Sequence, residues 1–63
     1  MTNVEFLDAA LGQVESESIR EWANSDHNRP IFEKMAQGAI DKRGEEADPV
    51  MFSAYVVSLA MGL

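Results

Sequence analysis

Sixty-three residues with eleven acidic and five basic side chains, a net charge of −6 and no cysteine leave room for one domain and exclude both a disulfide staple and a thiolate metal site. A chain of this size buries only about 60% of its unfolded surface, so its core is marginal unless helix packing is unusually good or the chain oligomerises. The negative balance argues against a binder of nucleic-acid backbone, while 46% hydrophobic residues is the composition of a globular chain.

Thr2-Asn3-Val4-Glu5 matches the Thr-x-x-Glu capping box that satisfies the free amides of a helix start. Val4, Leu7, Leu11, Val14 and Trp22 then recur at three- and four-residue steps, with Ser18 filling the one polar slot. This spacing predicts one apolar stripe on a helix over about 3–24. Gly12 weakens that helix by about 1 kcal/mol relative to alanine. A second box, Ser18-Ile19-Arg20-Glu21, follows the polar run Glu15-Ser16-Glu17, so the helix is either continuous or broken near 16–18. The unbroken stripe favours continuity.

Asn24-Ser25-Asp26-His27-Asn28 is dense in turn formers and predicts a loop. Pro30 suits the first turn of a second helix over 30–43, whose broad apolar face carries Ile31, Phe32, Met35, Ala36, Ala39 and Ile40. Lys42 and Arg43 complement the negative end of its dipole, and Gly44 supplies a left-handed stop. Asp48-Pro49 then opens a third helix over 49–62, in which Ser53 and Ser58 are the only polar side chains. The expected fold is all-α: three helices, two short loops and no sheet.

The last helix is the informative one. From Val50 to Leu63 its apolar side chains cover nearly the whole circumference, and a helix apolar all round expects burial all round. Two companion helices cannot surround it, and a half left in water exceeds what soluble monomers normally expose. A helical-bundle homodimer built on this helix is the expected solution, C2 being the commonest closed assembly. Val50, Phe52, Ala54, Val57, Ser58 and Met61 are its candidate interface residues, with Ala54, Ser58 and Gly62 placing small residues on one side at four-residue spacing.

Candidate chemistry is sparse. His27 is the only histidine and has no second imidazole or thiolate to join it in a metal site or a nucleophilic pair. The carboxylate groups Glu15, Glu17, Glu21 and Glu45, Glu46, Asp48 lack the glycine-turned loop of an EF-hand and are explained as solvated helix flanks. No P-loop, GxGxxG or HExxH occurs. A non-enzyme with no cofactor and no metal is expected. Glu15, Glu17, Trp22, His27, Arg29 and Tyr55 are instead candidate partner-binding residues, since Trp, Tyr and Arg dominate interface hot spots and acids steer association. Residues 1–28 hold six acids against Arg20 alone, whereas 29–63 hold five against four bases, so the negative field sits on the first helix.

No Lys or Arg precedes Arg20, so the charged start of a signal peptide is missing. The apolar run at the end, about 14 residues, is short of the ~18–20 that span a bilayer. A cytoplasmic protein without a membrane partner is expected. No motif assigns a family. In its class features (tiny, acidic, cysteine-free, helical, dimeric) the chain resembles the antagonists made by phages and mobile elements, such as antiactivators, anti-defence proteins and antitoxins. That resemblance implies an interaction module that inhibits or redirects a larger host protein by covering a working surface. The alternatives are a nucleic-acid mimic occupying a basic groove and a small structural subunit or assembly factor. Direct nucleic-acid binding is not expected, because Lys42-Arg43 is the only adjacent basic pair.

Overall fold

The computed structural model describes residues 1–62, and its elements are helical throughout: α1 (Asn3–Gly12), α2 (Glu17–Ala23), α3 (Arg29–Arg43), a single 3-10 turn (Gly44–Glu46) and α4 (Pro49–Ala60). Leu63 lies outside the described residues. The capping box at the start of α1 forms as the sequence requires, with the Thr2 hydroxyl accepting from the Glu5 amide at 3.1 Å and the Glu5 carboxylate accepting from the Thr2 amide at 3.0 Å. That backbone donor first, and the Thr2 hydroxyl second, hold the Glu5 carboxyl below its ordinary range.

The first helix is not continuous, and among the described residues the α-helices number four rather than three. Gln13 closes α1 with its amide on the Ala10 carbonyl, followed by the Val14 amide on the Leu11 carbonyl, and Ser16, in an extended conformation, opens α2 with its hydroxyl accepting from the Ile19 amide at 3.3 Å. The cap is therefore Ser16, while Ser18 lies exposed within α2. The apolar stripe misled because Val14 keeps its place in the core, 2% exposed, from a non-helical segment. Its carbonyl, freed from a helical ladder, accepts from the Arg20 guanidinium. Beyond the break α2 buries Ala23 and leaves Trp22 at the edge, 39% exposed. A low helix preference at Gly12 together with a good cap at Ser16 outweighs the stripe's continuity.

The remaining boundaries follow their local chemistry. Gly44 stops α3 with φ 58 and ψ −126, a positive-φ conformation that favours glycine but lies outside the left-handed helical region expected of the stop. Asp48 caps α4 by accepting from the Val50 amide at 2.9 Å, and Pro49 occupies its first turn. The helix ends at Ala60, two residues earlier than the apolar run suggests, with Gly62 at φ 75.

α1 is the helix on which the others assemble: α3 and α4 both pack against it, and α2 packs on α4. The core joins Phe6, Leu7, Ala10 and Leu11 of α1 to Phe32 and Ala36 of α3 and to Phe52 and Val56 of α4. Phe6 and Phe52 meet edge to face at 5.4 Å, as do Trp22 and Phe32. The described residues leave no buried side-chain nitrogen or oxygen without a hydrogen-bond partner; Ser53, buried in α4, donates to the Val50 carbonyl at 2.6 Å. Among the described residues no helix is long and apolar enough to cross a membrane.

Two outcomes check these assignments. Ser16→Ala is expected to lower the unfolding free energy by about 1 kcal/mol in urea titrations followed by circular dichroism, because it removes a helix cap; in a continuous helix the same change would stabilise. Glu5 titrates lower in the folded chain than in the unfolded one, so its stabilisation is complete above the unfolded value and lost as the pH falls through the folded one. NMR titration is expected to show α1 fraying from residues 2–5 in that acid window, and Glu5→Gln to abolish the pH dependence of that fraying.

Candidate functional site

α4 has two faces of unequal fate. Phe52, Ser53 and Val56 point into the protomer and are buried, with Val57 and Ala60 half-buried beside them. At about 100° per residue, the opposite face carries Val50, Met51, Ala54, Tyr55, Ser58 and Leu59. Val50 is 55% exposed, Met51 63% and Tyr55 49%. No side chain from 49 to 62 is charged. The polar half that an ordinary surface helix turns to water is missing here.

Along one edge of this face the surface falls into an open groove of about 600 Å³ between the end of α3 and the start of α4. Phe6, Met35 and Ala39 contribute to its apolar lining, Met51 and Tyr55 belong both to it and to the outward face of α4, and the Phe52 and Tyr55 rings lie 6.2 Å apart. Lys42, Arg43, Glu46 and Asp48 also line it, so it carries both signs of charge. Among the described residues the ion pairs are both made by Arg29, which leaves Lys42 and Arg43 unpaired.

The six interface candidates separate in the structure. Val50, Ala54 and Met61 are exposed on or beside the outward face, and Val57 and Ser58 are half-buried at its margins. Phe52 is engaged inside its own protomer against Phe6, so it supports the face from beneath. Met51 and Leu59 complete the face and were not among the candidates. Their signal lay in the chain all along, since positions 50, 51, 54, 55, 58 and 59 are the i, i+1, i+4, i+5 complement of the buried set.

The partner-binding candidates also divide. Arg29 holds α3 to α1: it pairs with Asp8 at 2.9 Å and Glu33 at 3.0 Å and donates to the Asn24 side chain at 2.6 Å. The Glu33 bond, ahead of Asp8, raises its already high pKa against the opposing effect of burial. Its charge is thus engaged within the protomer. Trp22 leans on Phe32 with a broad part of its ring in solvent, and its carbonyl accepts from Ser25 and from the Asn28 amide group, both at 2.9 Å. His27 is exposed on the same turn, and Glu15 and Glu17 are exposed before and at the start of α2. Glu17 borders a second, shallower depression with Leu11, Arg20, Glu21 and Asn24. Trp22, His27 and Arg29 therefore share the α2–α3 region, whereas Tyr55 belongs to the α3–α4 groove. Among the described residues no three His, Cys, Asp or Glu side chains gather in a way that could hold a metal ion.

Comparison of the chain with protein-family models, with curated proteins and with solved structures returns no match. Arg29→Ala is expected to lower stability by about 1 kcal/mol through loss of its links to α1 and to the α2–α3 turn. In a double-mutant cycle with Asp8→Asn, the coupling is expected to be a few tenths up to about 1 kcal/mol, given the exposure of Asp8.

Proposed function

We propose that this chain is a non-enzymatic protein-interaction module, homodimeric through the outward face of α4, that acts in the cytoplasm by binding a larger protein and inhibiting or redirecting it. The single observation that carries the reading is that face: Val50, Met51, Tyr55 and Leu59 stand exposed on a helix without a charged side chain. Burial of such a face against protein removes apolar area from water at about 25 cal/mol per Å². With a total accessible surface of 4269 Å², an ordinary interface of about 800 Å² per partner would take close to a fifth of this molecule.

The working surface for the larger protein is the one that self-pairing leaves open. There the half-exposed ring of Trp22 is flanked by His27, with Glu15 and Glu17 supplying negative charge that steers a basic surface into contact. A nucleic-acid mimic rests on the same acidic half, and competition by duplex DNA for the bound target at low salt would favour it.

Sedimentation equilibrium tests the self-pairing. The wild-type chain is expected to be a dimer at micromolar concentration, and Met51→Lys with Leu59→Lys to be a monomer of unchanged helicity, since both side chains are exposed in the protomer. A wild-type chain that stays monomeric would remove the reading.

A further inference from the structure

We propose that the occupant of the α3–α4 groove is a second copy of this chain, seated about a two-fold axis so that Lys42 and Arg43 of each copy face Glu45 and Glu46 of the other. The inference rests on the reading of α4 as a self-pairing face and supplies its register.

Charge decides the occupant. Two copies each carrying −6 repel one another, so they can meet closely only where the surface is locally neutral. The acidic surplus sits in residues 1–28, with six acids against one base, whereas the outward face of α4 carries no charge at all. The groove beside it has Lys42 and Arg43 together with Glu46 and Asp48, two of each sign. Asp48 is occupied by its cap on the Val50 amide, while Lys42, Arg43, Glu45 and Glu46 form no ion pair among the described residues.

A patch with both signs side by side is self-complementary under a two-fold rotation, which lays the basic end of α3 over the acidic turn twice. A ligand of one sign would be attracted by one part of the groove and repelled by the next. The apolar partner surface that fits between must bring both signs in the same arrangement, and this chain has such a surface. Met51 and Tyr55 belong to the groove and to the outward face alike, so one contact covers both.

Charge exchange on the full-length chain tests the register. Lys42→Glu/Arg43→Glu and Glu45→Lys/Glu46→Lys are each expected to raise the dimer Kd about tenfold or more, because each places like charges opposite one another at two symmetric sites. Mixing the two variants in equal amounts is expected to give a heterodimer with a Kd within about threefold of wild type, and so is the chain carrying all four exchanges. Circular dichroism of each variant checks that the end of α3 stays folded, and the milder Lys42→Gln/Arg43→Gln is expected to weaken pairing about threefold. If the wild type remains monomeric up to about millimolar concentration, the self-pairing reading and this register both fall, and the groove belongs to a different partner. If the wild type is a dimer that Met51→Lys/Leu59→Lys breaks but the charge exchanges leave unchanged, or if mixing restores nothing, the face survives and the register is overturned.

Discussion

The edge-to-face contact of Phe6 with Phe52 fixes α4 against α1, and the exposed surface of this molecule follows from it. With Phe52 turned inward, Ser53 and Val56 must follow it into the protomer, and Val50, Met51, Tyr55 and Leu59 must turn outward. A chain with a polar residue at every outward position would hide this choice. Here the outward positions are as apolar as the inward ones, so the same contact that builds the core also decides which apolar face of α4 is exposed. The groove is a result of the same arrangement, because Phe6 and Phe52 line it together with residues at the end of α3.

Much of this architecture was legible in the sequence where local chemistry is decisive. The Thr2 capping box, the positive-φ glycine stop at Gly44 and the Asp48-Pro49 start each depend on a few neighbouring atoms, and each ends or opens its helix at the expected residue. The first helix failed to follow its periodicity because a stripe reports which residues are buried, not how they reach the core. Val14 is buried as the stripe requires, yet from a turn. Trp22, taken as the last residue of that stripe, is displaced to the rim because α2 starts afresh from Ser16.

The candidate site was legible as a helix and not as a surface. That α4 is apolar on every side is plain from composition, but which half is exposed depends on where α1 lies. Phe52 and Met51 are adjacent in sequence and opposite in role for that reason. Arg29 shows the converse limit: an arginine beside a turn has the character of a hot spot until Asp8 and Glu33, distant or on the next turn, are seen to hold it. The separation of charge survives the comparison well. The acidic surplus and the uncharged helix belong to different parts of the chain, so a charged surface and an uncharged one coexist in one small molecule.

The methionines on α4 have a further chemical consequence. Met51 and Met61 are 63% and 64% exposed, so their thioethers are open to peroxide. Conversion to the sulfoxide replaces a soft apolar tip with a polar, chiral oxygen-bearing one. Because Met51 is part of both the outward face and the groove, a single oxidation there would place a polar oxygen on the helix that carries no charged side chain, without disturbing the Phe6–Phe52 contact beneath it. The oxidation state of two exposed side chains thus alters the surface of α4 and leaves the core of the protein as it is.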